Sequence, residues 1–270
     1  MTATMPVVTG EHRATFERDG AVCLRGLFSP ELIDQLRLAV DEIMANPSSL
    51  AKEYAEPGQG SFFTDVFNWR NNERIRDFLF RSPAAGAAAT VLGSQRVRLY
   101  NDHLLVKEPG TDIPTRWHQD LPYFRISGRQ ACSVWIGLDP VRKETGAMSF
   151  VKGSHKWGKM FRPVGIGDGD VRTEDAFDGM LPDIDADPEN YPTVCYEMEP
   201  GDCTIHHVLT VHGGLGNSNA ETRRRGFSIR LAGDDVTWLK RAFSPTGIDS
   251  GLADGEPLHG ELFPELWPRP

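Results

Sequence analysis

The stretch Trp117-His118-Gln119-Asp120 sets an imidazole and a carboxylate two residues apart. On an extended strand such residues share a face, so His118 and Asp120 can meet at one metal ion while Gln119 points away. A mixed nitrogen and oxygen pair suits a borderline divalent ion such as Fe(II), and two histidines with one carboxylate leave coordination positions free for chemistry. With 38 Asp and Glu and 8 His in the chain, one such pair is also expected by chance, and His259-Gly260-Glu261 is read as that chance pair. A third donor must come from elsewhere. The segment from Gly201 to His212 offers candidates: a Gly-Asp turn leads into a short apolar strand that carries His206 and His207 and ends on His212. Asn217 and the run Arg223-Arg224-Arg225 follow.

Together, the His118-x-Asp120 pair, the distant His212, Asn217, and Arg223 eleven positions beyond His212 resemble the phytanoyl-CoA dioxygenase family of Fe(II)- and 2-oxoglutarate-dependent oxygenases. The likeness runs from about Phe16 to the end. It implies that His118, Asp120 and His212 bind the iron and that 2-oxoglutarate is the cosubstrate. Its distal carboxylate would be held by the planar fork of Arg223. Lys107, Trp135 and Asn217 match positions associated with the cosubstrate, while Arg224 and Arg225 are left as a solvated or structural pair. His206 occupies a place that is usually apolar, and His207 a place near the substrate. Where relatives often carry Ser two residues after the distal His, this chain has Gly214. The implied reaction oxidises a C-H bond with O2 while 2-oxoglutarate is decarboxylated to succinate, with ascorbate helpful in vitro. Retention of Asp120 implies oxygenation rather than halogenation. Two other readings remain: a cupin-type small-molecule binding protein without catalysis, and a mononuclear metal oxygenase that does not use 2-oxoglutarate.

Composition narrows the partners. A formal net charge of -9 argues against nucleic acid and against an anionic membrane surface. No apolar run approaches the roughly 18 residues of a membrane span, and the N-terminus does not read as a signal peptide, so a cytoplasmic protein acting on a small molecule is expected. Cys23, Cys132, Cys195 and Cys203 are scattered without paired spacing and read as thiols in a reducing compartment. Residues 1–270 are read as one domain.

The elements that must position these groups begin with helices. Helical patterns run over His12 to Asp19, from a Ser29 cap with Pro30 at the first position to Asn46, over about Asn72 to Phe80, and from a Ser82 cap to Gly93. From Val97 the pattern changes to strands: Val97 to Lys107, the metal-binding stretch, Ala131 to Leu138, and Gly146 to Val151. In Ala131 to Leu138, Cys132, Val134, Ile136 and Leu138 form an apolar face for the helices, and Trp135 faces the other way. This is an α+β, mainly β pattern. The resemblance makes it a double-stranded β-helix (jelly roll, cupin-like) buttressed by N-terminal helices. Phe62, Phe63, Phe67, Tyr123, Phe124 and His207 are candidates for the substrate pocket. The Gly-, Asp- and Pro-rich stretch 163–192 is a candidate lid.

Overall fold

The computed structural model describes residues 8–166 and 176–269. Helix α1 (Gly10–Asp19) leads into β1 (Ala21–Leu24), and α2 (Pro30–Ala45) is followed by β2 (Lys52–Tyr54) and β3 (Phe62–Val66). Ser29 caps α2 by accepting a hydrogen bond from the Leu32 N-H, and Ile33, Leu36, Val40 and Ile43 recur at helical spacing on its buried face. Asn72 caps α3 (Glu73–Arg81) in the same way. Helix α4 (Ala84–Leu92) departs from expectation at its start: Pro83 takes the cap position, and the Ser82 hydroxyl is buried without a partner. It ends at Gly93, whose φ of 64° is the left-handed conformation that glycine adopts without steric cost. Gly86 explains the small residues of α4, because a Cβ there would lie 3.0 Å from the Trp267 ring.

The strands that follow are β4 (Val97–Lys107), β5 (Thr115–His118), β6 (Ile126–Ser127), β7 (Ala131–Gly137), β8 (Met148–Val151), β9 (Thr193–Cys195), β10 (Cys203–His207), β11 (His212–Gly214), β12 (Arg224–Ala232), β13 (Thr237–Trp238) and β14 (Glu265–Trp267). They build a major sheet in the order β1-β10-β7-β12-β4-β3-β2, with β14 also on β4, and a minor sheet in the order β5-β11-β8-β9. The two antiparallel sheets form the expected double-stranded β-helix. The outer face of the major sheet, including Val134, Ile136, Leu104, Val106, Phe227 and Ile229, joins α2, α3 and α4 in the main core. Each large side chain so buried contributes about 1.5–3 kcal/mol. Phe63 belongs to this outer core and not to the interior.

Antiparallel register places the inner face in rows, because directly opposed residues point to the same side. One row runs Asn101, Arg230, Ser133, His206; the next runs His103, Ser228, Trp135, Thr204; Lys107 and Arg224 face each other at the far end. Two local readings are corrected. Strand β5 ends at His118, and Asp120 has right-handed helical backbone (φ -74°, ψ -39°), so strand alternation does not bring the pair together. Likewise β10 ends at His207. A turn closed by the Thr210 N-H on His207 O then carries the chain into the minor sheet, where His212 opens β11. Among the described residues no helix is long and apolar enough to cross a membrane.

Candidate active site

His118 and His212 are register partners across β5 and β11, with ring centroids 4.2 Å apart. Each ring is fixed by its own backbone: His118 Nδ1 lies 2.7 Å from Arg116 O, and His212 Nδ1 lies 2.9 Å from Thr210 O. A carbonyl only accepts, so Nδ1 carries the proton in both rings and the Nε2 lone pair is free for a metal. Asp120 is brought in by the turn after β5, which is tied down by the Leu121 N-H on Val208 O. Its Oδ1 lies 3.7 Å from His118 Nε2 and 4.0 Å from His212 Nε2. The three donor atoms lie within 4.8 Å of one another and could hold one ion. Gln119 serves as a brace, donating to Lys159 O and Leu209 O while its Oε1 accepts from the Phe161 N-H.

Electrostatics favour the ligating forms. Burial pushes the His118 and His212 imidazoles below their ordinary pKa, which keeps both neutral at pH 7. Burial alone would raise the Asp120 carboxyl, but the charge of Arg230 and the neighbouring His206 and His212 outweigh it and hold the group well below the usual carboxylate range. The second oxygen of Asp120 accepts from Ser133 Oγ at 2.5 Å, and His206 Nε2 lies 3.4 Å from it. Ser133 is a supporting residue that sequence reading missed. Its only signal was its place beside Trp135 on one face of β7.

Arg223 was expected in the cosubstrate site, and the structure places it elsewhere. It is at the surface, paired with Glu108 at 2.8 Å. Its neighbour Arg224 is buried, lies over the Trp135 ring at 5.5 Å and lines the cavity. Strand alternation is the reason: a shift of one residue on β12 exchanges the solvent face for the interior. Arg224 Nε has no hydrogen-bond partner, and the side chain makes no salt bridge among the described residues. Burial lowers its pKa to about 10, so it remains charged at neutral pH. A buried guanidinium without a counter-ion needs an anion, which fits a dicarboxylate cosubstrate. Gly226 makes the room, since a Cβ there would lie 2.6 Å from the Trp135 ring and 2.8 Å from Arg224 Nη1.

The other expected residues divide. Trp135, Phe62, Phe67, Tyr123 and Phe124 line one cavity of about 350 Å³, together with His118, Asp120 and His212. That volume suits a small organic molecule. Lys107 is buried beneath Phe62, with Nζ on Leu215 O at 2.5 Å, and does not line the cavity; burial and the charge of Arg224 lower its pKa strongly. Asn217 is spent on backbone, its amide donating to Lys107 O, Glu108 O and Thr222 O, so it braces the turn before β12 and does not line the cavity. His207 faces Phe16 and His155, with Nε2 on Arg129 O and Nδ1 accepting from Leu209 N-H, outside the cavity. Phe63 also lies outside it, on the helix side of β3. Of the candidate lid, Val164 to Ile166 line the cavity, with Tyr123 Oη accepting from Val164 N-H and donating to Val164 O, whereas Leu181, Ile184 and Tyr191 pack around Trp117 and Trp157. Residues 167–175 lie outside the described residues.

A family model described as phytanoyl-CoA dioxygenase (PhyH) matches residues 16–226. A probable phytanoyl-CoA dioxygenase of Caenorhabditis elegans is 22% identical over 248 residues, covering 85% of this chain and 77% of that protein. A probable alpha-ketoglutarate-dependent hypophosphite dioxygenase of Stutzerimonas stutzeri is 28% identical over 175 residues, covering 64% of this chain and 57% of that protein. Among solved structures, the non-heme alpha-ketoglutarate-dependent carbocyclase SnoK from nogalamycin biosynthesis is 25% identical with a TM-score of 0.75, covering 95% of this chain and 96% of that one.

Proposed function

Since this chain belongs to the phytanoyl-CoA dioxygenase family of Fe(II)- and 2-oxoglutarate-dependent oxygenases, we propose that it oxidises a C-H bond of a medium-sized organic molecule, coupled to decarboxylation of 2-oxoglutarate. His118, Asp120 and His212 would hold the iron and Arg224 the distal carboxylate of the cosubstrate. Iron, 2-oxoglutarate and O2 would together supply the oxidising power, leaving succinate as coproduct. The protein's own part is positional. Backbone carbonyls fix the two imidazoles, Ser133 fixes the carboxylate, and the aromatic walls from Phe67, Tyr123 and Phe124 exclude water around the substrate. The likeness to a carbocyclase named for nogalamycin biosynthesis supports a place in secondary metabolism and a small-molecule substrate. All 270 residues are read as one oxygenase domain. Free cysteines support a reducing, cytoplasmic setting.

The observation that carries the reading is the buried, unpaired Arg224 at the other end of the inner sheet face from a complete metal triad. A binding protein with a vestigial metal site, or an oxygenase without 2-oxoglutarate, leaves that guanidinium without purpose. Formation of succinate from 2-oxoglutarate with Fe(II), ascorbate and O2 separates the readings. The oxygenase yields succinate that disappears when Arg224 is replaced; absence of succinate under substrate screening would overturn the proposal.

A further inference from the structure

The cavity holds a second cation that the iron and cosubstrate chemistry leaves unused. Arg230 stands on the inner row with Asn101 and Ser133, three inward-facing pairs along β12 and β4 from Arg224. Its side chain is 12% exposed and lies over the Phe124 ring at 5.2 Å. Among the described residues this guanidinium makes one hydrogen bond, from Nη2 to His103 Nδ1 at 2.9 Å, and its buried Nε has no partner. Asp120 Oδ1 is 3.8 Å away, but that oxygen faces the two histidine Nε2 atoms and would share its charge with the metal. Because arginine only donates, His103 Nδ1 is the acceptor and the ring proton sits on Nε2. His103, which lines the cavity, therefore carries its donor on Nε2.

Charge points the same way. In a chain of net charge -9, the described residues lining the cavity include Lys52, Arg116, Arg224 and Arg230, against Asp120 as the one acidic group. Arg224 and the metal together match the two carboxylates of 2-oxoglutarate. Arg230 then remains, beside the Phe124 ring and with Nε unbonded among the described residues, and a buried guanidinium is best matched by a carboxylate.

We propose that Arg230, with His103, forms a second anion subsite beside the triad, and that the substrate is a carboxylate-bearing molecule with an apolar or aromatic body. The inference rests on the reading of Arg224 as the cosubstrate anchor. It places the oxidised carbon close to that carboxylate in the substrate, because the subsite adjoins Asp120.

The test uses the full chain loaded with Mn(II) and saturating 2-oxoglutarate, with phenylacetate and 3-phenylpropionate each compared with its primary amide. Binding is read from paramagnetic broadening of the probe protons. A preliminary titration of 2-oxoglutarate into the Mn(II)-loaded protein checks the underlying reading on its own, so failure there is distinguishable from failure of the subsite. We expect each acid to bind at least about ten-fold more tightly than its amide. Because Arg230 also faces Asp120, Arg230→Gln is compared at Mn(II) concentrations that saturate the variant; there the preference should fall to within about two-fold, and Arg230→Lys should restore part of it. His103→Leu, which spares the guanidinium, should weaken the acid by about three-fold or more. Equal binding of acid and amide, a preference unchanged in Arg230→Gln, or acid binding abolished by saturating 2-oxoglutarate would each overturn the subsite; the first two would reduce Arg230 to a counter-charge for Asp120.

Discussion

Ser133 Oγ donates to Asp120 Oδ2 across 2.5 Å, with both residues buried. The bond occupies one carboxylate oxygen and leaves Oδ1 turned toward His118 and His212. A ligand so fixed binds through one oxygen and does not close over a second coordination position. Ser133→Ala should weaken metal affinity by about ten-fold, the low end of the effect of losing such a supporting hydrogen bond, and Ser133→Thr should recover much of it. Calorimetric titration with Co(II) or Mn(II) measures this directly. Unchanged affinity in Ser133→Ala would mean that the turn after β5 alone orients the carboxylate.

His118→Ala, Asp120→Ala and His212→Ala should each abolish turnover and lower metal affinity severely, because two remaining donors no longer define the face of an open site. His206→Ala should be far milder. Its ring lies 4.4 Å from that of His212, but among the described residues neither of its nitrogens has a hydrogen-bond partner, so no carbonyl orients it. Metal content and succinate formation, measured on the same preparations, check the assignment; a metal-free His206→Ala protein beside a metal-loaded His212→Ala protein would reverse it.

The difference between what could and could not be read from the sequence follows the range of the forces involved. Helix α2 was legible because its cap, its Pro30 and its apolar spacing are all local. The two faces of β7 were legible because alternation is local as well. His118 and Asp120 were identified by residue type and spacing, yet for the wrong geometric reason, since the chain leaves β5 before Asp120 and a turn completes the pair. Choosing between Arg223 and Arg224 needs the register of β12 on β4 and β7, and three consecutive arginines carry no local mark of which one points inward. Lys107, Asn217 and His207 were expected near ligands by position alone. Their partners, Leu215 O, Lys107 O and Arg129 O, are backbone groups far along the chain, set by tertiary packing.

Gly226 offers a steric test of the cosubstrate end. An added Cβ would meet the Trp135 ring at 2.6 Å and Arg224 Nη1 at 2.8 Å, so Gly226→Val must displace one or both. Affinity for 2-oxoglutarate should fall by about ten-fold or more while metal affinity stays within about two-fold, because the triad lies on the other side of the cavity. Titration of the Co(II)-loaded variant with 2-oxoglutarate reads both quantities. A variant that binds cosubstrate normally would show that Trp135 and Arg224 do not meet it.

The two neighbouring arginines give the sharpest test. Arg224 is buried, lines the cavity and has no ion-pair partner among the described residues, whereas Arg223 is 41% exposed and satisfied by Glu108. Removing Arg224 would leave a desolvated carboxylate without its bidentate partner, a loss of about 2–5 kcal/mol. Arg224→Leu should therefore raise the 2-oxoglutarate concentration for half-maximal rate by roughly 30-fold or more. An exposed ion pair contributes about 0–1 kcal/mol, so Arg223→Leu should leave that concentration within a few-fold of the unaltered protein. Arg224→Lys separates charge from shape: it keeps the cation but loses the planar fork, and an intermediate value is expected. Steady-state succinate formation against 2-oxoglutarate concentration gives all three numbers. Equal effects of Arg223→Leu and Arg224→Leu would remove the basis for placing the cosubstrate beside Trp135, and a large effect confined to Arg223→Leu would shift the register of β12 by one residue.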